Sequence, residues 1–250
     1  VFPQNVAVFF VLASVFLGLT ALSWSLIKEP PSPVHTTEHQ GIITQLRRGG
    51  EILHGSALYR RYILVRLALT IAGWAAPFYI VFAERELGIP GSMLGLYLGA
   101  RTVAGIVSNL AWGPVSDRMG NRRLILLSTA LGVATPLLVL LIGAVNAGLG
   151  AEGAASPLLR YAYAVVFVTA GAFGAGSGIG ISNYLLDIAP EAERPLYLAF
   201  TNTLFGLARF TGMASGLIVD WVGITVLMVI SAAFYLTALL LSLGMVEPRG

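Results

Sequence analysis

Arginine is the residue on which any chemistry in this chain must turn. Arg101 and Arg209 each sit inside a long apolar run. At the 1.5 Å rise of a helix, Arg101 lies about 14 Å from one end of its run and Arg209 about 21 Å from the start of its own. A guanidinium at that depth has two uses. It can face a cavity and hold an anionic group or a carboxylate, or it can make a structural ion pair or bond carbonyls between packed helices. Arg66, about 8 Å from its helix end, is expected to snorkel outward instead. No Asp or Glu lies equally deep: Glu84 and Glu86 fall at one mouth, Asp187, Glu191 and Glu193 at the other, and Asp220 in a turn. Trp74, Tyr79, Asn109, Asn183, Tyr184 and Asn202 could line a cavity or bond between helices. Tyr79 and Asn202 join Arg101 and Arg209 as the candidates for ligand contact.

Other chemistries are poorly served. With no cysteine there is no disulfide, thiol nucleophile or Cys-bound metal. His35, His39 and His54 share one polar stretch, and the four-residue step from His35 to His39 would suit a metal only on a helix. Pro30, Pro31 and Pro33 argue for a solvated loop there, so no metal or cofactor is expected. The glycine-rich run Gly171 to Gly180 is no phosphate loop, since it lies mid-span, carries no basic residue and follows no strand. It permits close helix approach and easy bending. Pro77 and Pro136 are expected to kink their helices. An enzyme acting inside a membrane needs paired catalytic groups at depth; here the deep ionisable groups are arginines, and no catalytic residue is assigned.

The elements that must position these residues are apolar helices. In 250 residues, 56% are hydrophobic and 11% charged, against about 25% charged in an ordinary soluble domain. A bilayer core needs about 20 helical residues per crossing, and such segments fall near 3–27, 61–83, 92–112, 123–146, 160–186, 195–219 and 222–246. The expected class is all-α, a polytopic transmembrane bundle. The first segment is not a signal peptide, because Lys28 follows its apolar run. With the start of the chain outside, Lys28, Arg47, Arg48, Arg60, Arg61, Arg118, Arg122, Arg123, Arg194 and Arg249 lie inside, leaving only Arg85 and Arg160 outside. The formal charge of +3 suggests no nucleic-acid partner; membrane lipid is the expected surround.

Residues 28–60 form the one long polar stretch, dividing the helix in 1–27 from the six-helix group in 61–250. Within it Ile42, Leu46 and Leu53 recur at near-helical spacing, as for a short amphipathic helix on the inner leaflet with Arg47 and Arg48 among headgroups; a linker without a partner is the alternative. Inside the group of six, Gly113-x-x-x-Asp117-x-x-Gly120 follows the second helix and Gly216-x-x-x-Asp220-x-x-Gly223 the fifth. The charge distribution puts them on opposite sides, as a three-plus-three inverted repeat would.

The stretch Gly113 to Arg123, with Asp117, Arg118, Gly120 and Arg122, is too short between apolar runs for anything but a tight basic hinge. It resembles the loop signature of the major facilitator superfamily of secondary transporters, G-x-L-x-D-R-x-G-R-[RK]. Val115 replaces the favoured Leu and Asn121 the favoured basic residue, which leaves the loop's ion pairing open. The resemblance implies helix 6, the central cytoplasmic loop and helices 7 to 12 of a twelve-helix transporter, with most of the N-terminal half missing. The stretch Asn183 to Pro195 is similar to the inner loop before helix 11 in many bacterial members. The family implies alternating access for a small-molecule solute across the cytoplasmic membrane, with the chain's missing N-terminal helices as partner. It also implies a latch at the hinge. There Asp117 accepts from free amides of the next helix and Arg118 pairs with a neighbouring acid, while Asp187, Glu191 and Arg194 extend the network. A purely structural cap is the alternative. If transport is proton-driven, the titrating carboxylate is expected on the missing half.

Two other readings compete. A seven-helix receptor would place Asp117-Arg118 at the inner end of its third helix, but the seventh span has neither a Lys for a retinal Schiff base nor Asn-Pro-x-x-Tyr, and the glycine hinge is too tight. A non-transporting sensor on a transporter fold is the second. Transport is the reading adopted.

Overall fold

The computed structural model describes residues 4–27, 42–150 and 156–248. Lys28, Pro30, Pro31, Pro33, His35, His39 and Arg249, all used above, lie outside the described residues. Within them, all regular structure is helical, and the chain divides into two compact units, 1–41 and 42–250.

The first unit holds α1 (Gln4–Ser25). Its hydroxyls turn back on its own backbone, Ser14 to the Phe10 carbonyl, Thr20 to Phe16 and Ser23 to Leu19. A polar side chain can thereby sit in an apolar helix without an unsatisfied donor.

The second unit opens with α2 (Ile42–Gly55). Its Gly49 meets the Phe200 ring so closely that a Cβ would overlap it, and Ile52 and Leu53 pack onto an aromatic cluster beneath. The contact line runs through the glycine because the backbone can approach there. Leu46 falls off that line and stays exposed.

Six helical stretches follow. Five of them, Ala57–Arg85, Gly91–Met119, Asn121–Leu149, Pro157–Ile188 and Ile224–Leu243, are long and apolar enough to cross a bilayer. The fourth opens with α7 (Pro157–Ala162); the sixth, residues 194–222, comprises α9 (Arg194–Phe210) and α10 (Ala214–Val222) on either side of a 3-10 turn at Thr211–Met213, and falls short of that measure. Thr201, Asn202, Arg209 and Asp220 dilute its apolar character. The first stretch is also interrupted, as α3 (Ala57–Ala72), a 3-10 turn at Gly73–Ala75 and α4 (Phe78–Arg85). Pro77 has no amide to bond the Gly73 carbonyl, so the Ala76 amide takes it in the tighter 3-10 pattern. Pro136, by contrast, is accommodated inside the unbroken α6 (Asn121–Leu149).

The two halves of this group are punctuated alike. Pro90 (φ −67, ψ 144) leads into a 3-10 turn at Gly91–Met93 and then α5 (Leu94–Met119). Pro190 (φ −54, ψ 141) leads into one at Glu191–Glu193 and then α9 (Arg194–Phe210). Gly120 (φ 87, ψ 161) joins α5 to α6, and Gly223 (φ 90, ψ 159) joins α10 (Ala214–Val222) to α11 (Ile224–Leu243). These glycines hold a backbone conformation essentially closed to other residues. The sequence echo therefore reflects a repeated turn geometry.

Tyrosines follow the same repeat. Tyr97, seven residues after Pro90, is buried against Tyr163 and Phe167, with ring centroids 5.6 and 4.9 Å away. Tyr197, seven after Pro190, is buried against Tyr59 at 4.8 Å. In each case the second helix of one repeat packs its tyrosine on the first stretch of the other. The core accordingly forms two aromatic clusters, around Tyr79, Tyr97 and Tyr163, and around Tyr59, Tyr62, Tyr184 and Tyr197. Lipid offers no hydrophobic gain for helix association, so interdigitation of this kind carries the cohesion. The glycine run of α8 (Ala164–Ile188) contributes three close approaches. A Cβ on Gly171 would strike the Arg101 carbonyl, one on Gly176 would meet Trp112 and Ser128, and one on Gly180 would meet Ile125.

Candidate functional site

Two of the expected ligand-contact residues meet in one cavity. A space of about 210 Å³ lies between helices, with Tyr79 from α4, Arg101 from α5, Thr135 from α6, Phe167, Phe173 and Gly174 from α8, and Tyr235 from α11 on its walls. Wider clefts of about 590 and 540 Å³ open at the ends of the bundle, beside Glu86 and Asn146 and beside Arg60 and Arg61. Both are open to the surface, and neither touches the deep arginines.

Local structure fixes the cavity's polar groups. The contact of Gly171 with the Arg101 carbonyl clamps α5 onto α8 at the residue whose guanidinium reaches the cavity. Among the described residues, Arg101 makes no hydrogen bond or ion pair, so its charge is uncommitted. Tyr79 follows the Pro77 break and is 3% exposed, yet its hydroxyl has no hydrogen-bond partner among them. Ser231 lies beside it but donates to the Ala72 carbonyl at 2.7 Å. Thr135 is already engaged with the Leu131 carbonyl and with Thr169 at 3.0 Å. Phe173 and Tyr235 pack edge to face, centroids 5.0 Å apart.

Arg209 and Asn202 do not line this cavity. Both are exposed on α9, seven residues apart and so on one face at two-turn spacing. Arg209 stands just before the 3-10 turn at Thr211–Met213, where Gly212 adjoins the Trp74 ring. Arg66 does not snorkel: it is half-buried, donates to the Tyr62 hydroxyl at 3.1 Å and lies 4.5 Å over the Phe205 ring. A cation–π contact with a hydrogen bond holds it inward.

The hinge is arranged around residues that the sequence pattern leaves in the background. Asn121, fully buried, accepts from Ser116 at 2.7 Å and donates to Asp187 Oδ2 at 2.6 Å, tying the α5–α6 turn to the end of α8. The first turn of α6 has no side-chain cap of its own. Glu247 from the tail beyond α11 supplies the acceptor, taking the Arg122 amide at 3.1 Å, and its carboxylate fills the space a Cβ on Gly120 would need. Arg122 donates to the Leu243 carbonyl at 2.8 Å, Tyr184 to Val246 at 2.8 Å and Arg61 to Gly244, so the tail is stapled across the helix ends. Asp117, in the last turn of α5, is exposed and does not cap α6. Arg118 is exposed too, and neither residue has a hydrogen bond or ion pair among the described residues. Gly113 lies one turn earlier on α5 with open space beside it. Among the described residues, Glu191 and Arg194 pair only with each other, at 3.8 Å. Sequence reasoning thus missed Asn121 as a hub and Glu247 as a cap; the first had a signal, a polar residue where a basic one is favoured, and the second had none.

A helical bundle of membrane-crossing length, with paired turn geometries and an interhelical cavity bordered by an exposed arginine, defines a polytopic membrane protein of transporter type. The family model for the Major Facilitator Superfamily matches residues 62–250, and the chain belongs to that superfamily. No curated protein and no solved structure gives a significant match.

Proposed function

We propose that this chain is the C-terminal part of a transporter that moves a small solute across the cytoplasmic membrane by alternating access, with the solute held in the cavity of Arg101 and Tyr79. The observation that carries this is the meeting, from separate helices, of the uncommitted guanidinium of the exposed Arg101 and an orphaned buried hydroxyl around one partly open interhelical space. An unpartnered polar group at such depth costs stability, and a ligand offsets that cost. The exposed stripe with Asn202 and Arg209 faces a second six-helix unit, against which this one rocks as a body. The hinge with Gly113, Asp117, Arg118, Gly120 and Arg122, together with Asp187, Glu191 and Arg194, forms the inner gate. Exposed Asp117 and Arg118 are available to the opposing unit, while Asn121 and Glu247 keep the turn rigid behind them. The start of the chain lies outside and its end inside.

In the intact transporter, Arg101→Ala is expected to abolish transport while the protein still elutes as a folded monodisperse species in detergent. Wild-type transport by that variant would remove Arg101 from the site.

A further inference from the structure

Resting on the assignment of the solute to this cavity, we infer that the cargo is a small monocarboxylate with a flat apolar body, benzoate being the simplest example. Charge comes first. Among the described residues, Arg101 is the one charged side chain on the cavity wall, and no carboxylate accompanies it. A cation is repelled, and a dianion keeps one charge uncompensated at a depth where that is costly. The planar guanidinium fork matches a carboxylate through two parallel hydrogen bonds. The Tyr79 hydroxyl, buried without a partner, supplies one more donor.

Shape and polarity give the rest. The rings of Phe167, Phe173, Tyr79 and Tyr235 form the remaining wall, suited to stacked or edge-to-face contact with another flat group. A Cβ on Gly73 or Gly174 would meet no atom within 4 Å, so the cavity has a bare backbone floor on which a ring can lie. A cavity of about 150 Å³ accommodates benzene, and one of about 210 Å³ accommodates a ring whose carboxylate meets Arg101 on the open side. Sugars fit poorly, because Thr135 has spent its hydrogen bonds internally and most sugar hydroxyls would be buried without partners.

The test is calorimetry and thermal shift on the intact purified transporter, with benzoate, benzyl alcohol, acetate, benzylamine and glucose as probes. Benzoate is expected to bind saturably. Benzyl alcohol, which keeps the ring without the charge, and acetate, which keeps the charge without the ring, should each be at least roughly tenfold weaker. Arg101→Gln should bring benzoate down to the level of benzyl alcohol. Gly174→Leu, growing into open space, should abolish benzoate binding without lowering the unfolding temperature, and Gly174→Ala should give an intermediate affinity. Benzoate binding no better than acetate or benzyl alcohol overturns the inference. If glucose or benzylamine binds instead and loses binding in Gly174→Leu, the cavity is the site but its cargo class is wrong. If benzoate binds Arg101→Gln and Gly174→Leu as well as wild type, the cavity is not the site, and the functional reading falls with the inference.

Discussion

Asn121 shows how one buried amide can organise a turn. It bonds Ser116 with its oxygen and Asp187 with its nitrogen, using a donor and an acceptor that neither Lys nor Arg combines. Asn121→Ala takes the acceptor from buried Ser116 and one donor from half-buried Asp187, and should cost roughly 1–3 kcal/mol, read as a lower unfolding midpoint in detergent. A midpoint equal to wild type would mean that water replaces the amide. Arg66 makes the complementary point. Its place over Phe205 and beside Tyr62 shows that distance along a helix does not decide whether an arginine reaches the headgroups when an aromatic partner is nearer.

At the scale of elements, the paired glycines separate backbone strain from side-chain crowding. Gly120 and Gly223 share one conformation, but a Cβ on Gly223 meets nothing within 4 Å, whereas one on Gly120 collides with Glu247. Gly223→Ala should therefore cost about 1–3 kcal/mol from the backbone alone. Gly120→Ala should cost more, because it also displaces the carboxylate that caps α6. Equal losses in parallel thermal denaturations would show that Glu247 swings away freely. Glu247→Gln keeps an acceptor and removes the charge that favours a helix start. It should cost only about 0.3–1 kcal/mol, a smaller loss than that of Gly120→Ala in the same assay.

Across the whole molecule, the two repeats interlock rather than lie side by side. Tyr97 packs on Tyr163, and Tyr197 on Tyr59, so each repeat completes the other's core and the six helices are suited to move as one body. This chain carries no cysteine, so a reporter placed in it reads the proposed rocking once any cysteine of the opposing unit is replaced. A single-cysteine reporter, Met119→Cys at the hinge, should react with impermeant maleimide from the cytoplasmic side, and Ser92→Cys at the opposite end from outside. Both labelling from one side would overturn the topology. With those reporters in place, Asp117→Asn should shift the balance of inside and outside accessibility. An unchanged balance would reduce Asp117 to a structural role.

The sequence by itself determined the class of this protein, because lipid sets a demand for long apolar helices that composition and length express directly. It also fixed the places where the chain turns, since the geometry at Gly120 and Gly223 excludes side chains, and it singled out Arg101, since a charge in an apolar run needs a reason. Tertiary structure alone decided that Tyr79 joins Arg101 while Arg209 and Asn202 stay on another face. It likewise decided that Glu247 rather than Asp117 caps α6, and that α2 docks through Gly49. Each depends on which helices meet and at what rotation. That is settled by close packing between residues far apart in the chain, a quantity that local pattern and periodicity do not carry.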